Sequence, residues 1–199
     1  MIRQIEDLMY QASDFFMGPV LILLVILLAY SLYASGVFAA QAWQRRKNRA
    51  AYLAALKTPL GSDLKQNPQG YPLVELAHAR GAITKDELDV AALEDMEGVR
   101  TVSRLAPMLG LIATMVPMGP ALKSLADGNV QGISENLIVA FSAVIFGLVI
   151  ASITFWIASV KKRWLAGELV ALAPLVEEQQ ASLSQAIAAN TGEAQREAA

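Results

Sequence analysis

Three long stretches of the chain carry no charged residue, and each is long enough to cross a membrane. They cover residues 15–44, 105–122 and 136–160. About 20 apolar residues in a helix span the hydrocarbon core of a bilayer. The pattern therefore predicts an all-α integral membrane protein with three transmembrane helices and cytoplasmic helical extensions.

The predicted transmembrane helices cover residues 17–40, 105–126 and 133–160. The first follows acidic residues and is longer than the apolar run of a cleaved signal peptide, so we expect it to be retained. Between the second and third, Asp127, Gly128, Asn129 and Gly132 are residues that favour a turn. The last two spans are therefore expected to form a hairpin with a short outer loop.

The positions of Lys and Arg predict how the spans are oriented. If the chain crosses the membrane three times, three basic clusters lie on the same side of it. They are Arg45, Arg46, Lys47 and Arg49 after the first span, Arg100 and Arg104 before the second, and Lys161, Lys162 and Arg163 after the third. The opposite side has only Arg3 and Lys123. Basic residues concentrate on the cytoplasmic side of membrane proteins. We therefore expect a multi-pass protein with its N-terminus outside and its C-terminus in the cytoplasm.

The segments outside the predicted spans also have recognisable patterns. Residues 1–16 have apolar positions at helical spacing, which fits either an outer amphipathic segment on the membrane surface or a lead-in turn of the first span. Residues 41–104 are expected to form a cytoplasmic helical segment, interrupted by a Pro- and Gly-rich loop at 58–72, with a capping box at Thr84 and Glu87. Residues 161–189 are expected to form a cytoplasmic helix, and residues 190–199 a disordered tail.

The cytoplasmic helix after the third span carries apolar residues at heptad spacing. They are Leu165, Leu169, Leu172, Val176, Leu183 and Ala186, with Gln179 in the same register. A helix with such a seam packs against another helix. The partner is either a helix of the same chain or a helix of another chain.

Composition narrows the classes of function. Charged residues make up 17% of the chain, against about a quarter in soluble domains. The sequence has no Cys and a single His, which argues against thiolate and His-rich metal sites. No paired nucleophile and base and no phosphate-binding Gly loop is visible. We expect no enzyme, no catalytic residue, no metal or cofactor, and no nucleic-acid partner; the expected surroundings are membrane lipid.

Small residues mark one face of each of the last two predicted spans. In the second span they are Ala106, Gly110, Ala113, Thr114, Pro117, Ala121 and Ser124. In the third they are Ala140, Ala143, Gly147, Ala151, Thr154 and Ala158. Such faces either let helices pack closely in lipid or line a narrow pore. Pro107, Pro117 and Pro120 also free backbone carbonyls in the second span, which protein or water must satisfy.

No Asp, Glu, Lys, Arg or His lies inside any of the three uncharged stretches, 15–44, 105–122 and 136–160. Because a charge at membrane depth normally marks an ion path, this chain by itself supplies no proton-binding site there. The candidate ion-pathway residues are therefore Thr114, Ser142 and Glu135. The Thr114 hydroxyl either bonds its own helix or holds a water, an ion or a partner's carboxylate. Glu135 is either such a group or a solvated residue near a helix start.

The order of the spans and two short motifs together resemble the MotA/TolQ/ExbB proton channel family. The motifs are Ala106–Pro107–Met108–Leu109–Gly110–Leu111–Ile112–Ala113–Thr114 and Phe146–Gly147–Leu148–Val149–Ile150–Ala151. The resemblance is good over residues 106–157 and otherwise extends to the layout. It implies a location in the bacterial inner (plasma) membrane.

The resemblance also implies a function. Family members form a homo-oligomer, a pentamer, around an ExbD/TolR/MotB-like partner with one transmembrane helix that carries an intramembrane Asp. Thr114 matches the polar threonine of the family's second span. The expected function is then that of a pore-forming subunit in an ion-driven motor or energy-transducing complex, of the kind that also serves protein transport.

Two positions depart from the pattern of the ExbB and TolQ branch. The family has a threonine three residues before the Gly of the last span and a Glu eight residues before it. This chain has Val144 and Val139 there, with Ser142 and Glu135 nearby. The departures leave open an alternative, in which the chain is a non-conducting oligomeric membrane scaffold.

Overall fold

A computed structural model describes residues 2–64 and 66–197, and the side-chain surroundings of residues 15–64, 66–185 and 188. Its helices are α1 (Ile2–Lys47), α2 (Arg49–Ala55), α3 (Pro72–Arg80), α4 (Lys85–Ala126) and α5 (Val130–Glu197). The described residues contain no strand. Three of the helices, α1, α4 and α5, are long and apolar enough to cross a membrane. The predicted all-α membrane fold with three spanning helices is therefore confirmed.

The chain divides into two compact units. One, which we call the span unit, contains α1 up to Val37 together with Glu97–Ser159. The other, the loop unit, contains Phe38–Met96 and the chain from Val160 onward. Each unit has its own apolar core.

The core of the span unit joins α1, α4 and α5. Its buried residues are Val20, Leu24, Val102, Ala106, Ala113, Ala143 and Ile150. The remaining faces of these helices are apolar and exposed, as expected of helices whose outer surface meets lipid or another protein.

The connection between α4 and α5 is a tight turn. Gly128 has a φ of 70°, a left-handed conformation that glycine adopts without strain. The Asn129 amide donates to the Ser124 carbonyl at 2.8 Å, and the Asn129 side chain accepts from the Gly132 amide at 3.0 Å. These bonds end α4 and begin α5, so the two helices form the hairpin that the turn residues predict.

The core of the loop unit joins α2, α3, α4 and α5. The heptad residues Leu165, Leu172 and Val176 are buried in it, whereas Leu183 is exposed. Packing within the chain therefore accounts for the seam as far as Val176. The capping box is also present. The Thr84 amide donates to Glu87 at 2.8 Å, and the Glu87 amide donates to the Thr84 hydroxyl at 3.3 Å.

The two ends of the chain differ in how they compare with expectation. The amphipathic pattern of residues 1–16 falls mostly on side chains outside the described set, although α1 begins at Ile2. The tail expected at 190–199 is instead helical as far as Glu197. The reason lies in its composition, since Ala, Glu, Gln and Arg are good helix formers.

Candidate functional site in the α4–α5 hairpin

The two helices of the hairpin approach each other closely at a pair of glycines, Gly110 and Gly147. A methyl group placed on Gly147 would lie 2.8 Å from the Ala106 carbonyl oxygen and 3.1 Å from the Gly110 Cα. A methyl group placed on Gly110 would lie 3.5 Å from the Gly147 Cα. The backbones therefore approach to a distance that only glycine at 147 permits.

The small faces of α4 and α5 contact each other around these glycines. The buried residues of the two faces are Ala106, Ala113, Ala121, Ala140, Ala143 and Thr154, and the core that contains Ala106, Ala113 and Ala143 also includes α1. Pro117 is also fully buried, and Pro107 and Ala151 are half-buried. Of the two roles that the sequence allows for these faces, close packing is the one seen within a single chain.

Thr114 lies at the margin of the packed face. It is half-buried, with Ala113 and Pro117 on the buried side and Leu111, Met115 and Met118 on the exposed side. Its hydroxyl donates to the Leu111 carbonyl at 2.7 Å. The hydroxyl oxygen keeps its lone pairs for a donor that approaches from the exposed side.

Thr154 differs from Thr114 because it is completely buried. Its hydroxyl donates to the Ile150 carbonyl at 2.7 Å. A neighbouring molecule therefore cannot reach this hydroxyl without separating the helices. Thr154 is a packing residue in this chain, and it provides a matched comparison for Thr114.

Ser142 and Glu135 lie apart from Thr114. Ser142 is exposed on a groove of about 240 Å³ between α1 and α5, which it lines together with Leu24 and Ala143. Glu135 is exposed and accepts a hydrogen bond of 2.9 Å from Gln131. Among the hydrogen bonds of the described residues, none joins any two of the three predicted ion-pathway residues.

The loop unit contains a buried ion pair that the sequence did not predict. Arg45 of α1 pairs with Glu168 of α5, whose side chain is 0% exposed. Glu168 also accepts a bond of 3.0 Å from the Leu73 amide, and Arg45 donates to the Gly70 carbonyl at 3.0 Å. Glu168 lies on the apolar seam of α5, between Leu165 and Leu172. That position could have indicated the pair, because a buried charge needs a partner.

The single histidine is buried in the same unit. The Nε2 of His78 is 3.2 Å from the Ala55 carbonyl, which can only accept, so Nε2 carries the proton. Its Nδ1 is buried and has no partner among the described residues. Burial lowers the pKa of His78, because a second proton would place a charge in apolar surroundings.

The comparison with protein families covers α4 and the larger part of α5. Residues 82–173 match the MotA/TolQ/ExbB proton channel family.

The matched region is just under half of the chain. It contains both motifs that carry the resemblance, so the resemblance is confirmed there. No curated protein and no solved structure matches the chain. The match supports a membrane subunit of proton-channel type, and this family is not known as an enzyme family.

Proposed function

We propose that this protein is the pore-forming subunit of an ion-driven complex in the bacterial inner membrane. In this proposal, copies of the chain form a ring, a pentamer, around a single-span partner of the ExbD/TolR/MotB kind. The N-terminus lies outside and the C-terminus in the cytoplasm. The observation that carries the proposal is the family match over residues 82–173, which includes Thr114, all of α4, and α5 as far as residue 173.

The exposed side of α4 supplies a surface for such a partner. Its apolar residues, which follow one another at helical spacing, are Met108, Leu111, Met115, Met118 and Leu122, with exposed fractions between 44% and 65%. Thr114 borders this surface and offers its hydroxyl oxygen there. A partner carboxylic acid at this level would find one polar group in an otherwise apolar wall.

The chemistry of the proposed path follows from that wall. Apolar surroundings raise the pKa of a carboxylic acid, which then binds and releases protons near neutral pH. Thr114 would hold the protonated acid by accepting its hydrogen. The chain's own contribution is therefore to exclude water and to offer one oxygen at a fixed level of the membrane.

Thr114→Val tests this role. Valine has the shape of threonine without the hydroxyl, so assembly should be unchanged while proton flux through reconstituted complexes falls by about 10-fold, the loss of roughly one hydrogen bond of 1.4 kcal/mol. Thr114→Ser should retain most of the flux. Thr154→Val is the matched control, because its hydroxyl also bonds its own helix but is completely buried, out of a partner's reach. Equal flux in Thr114→Val and the unaltered chain would remove Thr114 from the path.

The alternative is a non-conducting oligomeric scaffold. It is favoured by the contact between the two small faces, which uses them for packing within the chain. A scaffold would still assemble, but no variant of Thr114 would change ion flux, because there would be none.

A further inference from the structure

The level of α4 in the membrane can be measured against α5. Gly147 packs between Ala106 and Gly110, so it lies level with the region of Met108. Gly147 comes thirteen residues before Val160, the last uncharged residue of the third span. That is a rise of about 20 Å in a helix, so this part of α4 lies about 20 Å inside the boundary that α5 sets.

The first span independently places this part of α4 inside the boundary. A methyl group on Gly98 would lie 2.7 Å from the Tyr30 hydroxyl oxygen, and Tyr30 comes ten residues before the predicted end of its span at Ala40. Helical side chains lean toward the N-terminus of their helix, so that hydroxyl does not point toward the Ala40 end. Val102 is buried in the same core as Leu24 and Ile150. Residues 98–102 of α4 therefore lie at membrane depth beside α1 and α5.

The contact between α4 and α5 also gives the depth of two arginines of α4. Arg104 lies about four residues below the level of Gly147, which places it about 13 Å inside the boundary, and Arg100 lies about 8 Å inside it. Both are exposed in the span unit, and neither forms an ion pair with any described residue. They stand four residues apart, so they share one face of the helix.

Lipid is an unfavourable neighbour for this face. A charged side chain at the centre of a span costs at least about 2.5–3.5 kcal/mol. Leaning toward the N-terminus of α4 would bring Arg100 to the boundary, but Arg104 is too deep for its side chain to reach it. The same face of α4 continues with the apolar Met108 and Leu111.

We propose that Arg100 and Arg104 line a water-filled, positively charged vestibule that opens to the cytoplasm and ends below Met108. The inference rests on the proposed function, because a ring of copies is what encloses the water. Guanidinium groups bind carboxylates and small inorganic anions. The vestibule therefore admits anions, excludes metal cations, and leaves the apolar wall around Thr114 as the barrier above it.

Cysteine accessibility tests the vestibule directly, because the chain has no native Cys. Single variants Arg100→Cys and Arg104→Cys are compared with Phe155→Cys and Ser152→Cys, which lie at matching levels on the exposed side of α5. Inside-out vesicles containing the full complex are treated with a membrane-impermeant anionic methanethiosulfonate. We expect modification at 100 and 104 and protection at 152 and 155.

The contrary results are distinct from one another. Modification at all four positions would show that water surrounds this part of the protein, and protection at all four would show that it is dry; each overturns the vestibule. Mass measurement on the same variants separates these failures from that of the ring. A ring with the wrong labelling pattern overturns the vestibule alone, and a monomer overturns both.

The sign of the charge is tested by the reagent. At Arg104→Cys, we expect the anionic reagent to react about 10-fold faster than a cationic one of the same size, after correction for their reactivities with a free thiol. The ratio should fall when Arg100→Gln is added. If the two reagents react at equal rates, and Arg100→Gln does not change that ratio, the lining is not positively charged.

Discussion

Gly147 determines how closely the two helices of the hairpin pack. The nearest atoms to an added methyl group would be backbone atoms of α4, at 2.8 and 3.1 Å, which cannot rotate away as a side chain would. Gly167 lies on the same helix, and nothing is within 4 Å of the corresponding methyl position. The two glycines therefore provide a test and a control of equal chemistry.

Gly147→Ala should destabilise the span unit by about 1–3 kcal/mol, because the helices must move apart. Gly167→Ala should be neutral or stabilise by roughly 0.5–1 kcal/mol, because alanine favours the helix. Thermal unfolding in detergent measures both. Equal stability of the two variants would contradict the close contact.

His78 predicts how stability depends on pH. Its pKa is lowered in the folded chain, so the unfolded chain binds the proton more readily. Stability should therefore fall as pH drops below about 6.5, the value for an unperturbed histidine. Unfolding temperatures at pH 7.5 and 5.5 measure the effect.

The variant His78→Gln isolates this contribution. Its amide can donate to the Ala55 carbonyl but does not titrate, so the fall between the two pH values should be smaller. Burial raises the pKa of the nearby Glu75, which acts in the opposite direction at lower pH and is common to both proteins. The same pH dependence in both proteins would show that His78 does not titrate in this range.

At the scale of elements, the Arg45–Glu168 pair joins three segments of the loop unit. Arg45 belongs to α1 and Glu168 to α5. Glu168 also accepts a hydrogen bond from the amide of Leu73, which lies in the first turn of α3. The Arg45 guanidinium also lies over the Tyr71 ring at 4.2 Å and the Trp164 ring at 4.8 Å. These contacts fix the loop before α3 against both long helices.

Glu168→Gln should cost about 3–5 kcal/mol, because it leaves Arg45 mostly buried without a counter-ion. Faster hydrogen exchange of the α3 amides would report the loss, with Glu177→Gln as an exposed control expected to change stability by less than about 0.5 kcal/mol. If both variants exchange at the rate of the unaltered chain, the pair does not hold α3 in place.

The sequence predicts the elements better than their relative levels. Apolar length fixes α1, α4 and α5, turn residues fix the hairpin, and Thr84 with Glu87 marks the start of α4. The level of α4 against α5 depends on which small residues meet, and several pairings fit the pattern equally well. The contact of Gly110 with Gly147 selects one of them, and with it the depth of Arg104.

The candidate site was predictable as a set of residues but not as an arrangement. The sequence gives the small faces and Thr114, and the family resemblance is confirmed over the region that contains them. It does not say that the faces would meet within one chain, or that Ser142 would face α1. Both outcomes depend on the rotation of each helix about its axis, which three apolar helices leave open.

At the scale of the whole molecule, the proposal divides the work between two proteins. This chain would supply an apolar wall, one hydroxyl oxygen and a positively charged approach from the cytoplasm. The partner would supply the group that binds the proton. Such a division explains why the three uncharged stretches contain no acidic or basic residue of their own.

The most direct test is proton flux through the chain co-expressed with a single-span protein that carries an intramembrane Asp. The account predicts a complex whose mass corresponds to several copies of this chain around that partner, with proton flux in reconstituted vesicles that is lost when the partner's Asp becomes Asn. A chain that purifies without such a partner, or a complex whose flux is the same with Asp and Asn, would contradict it.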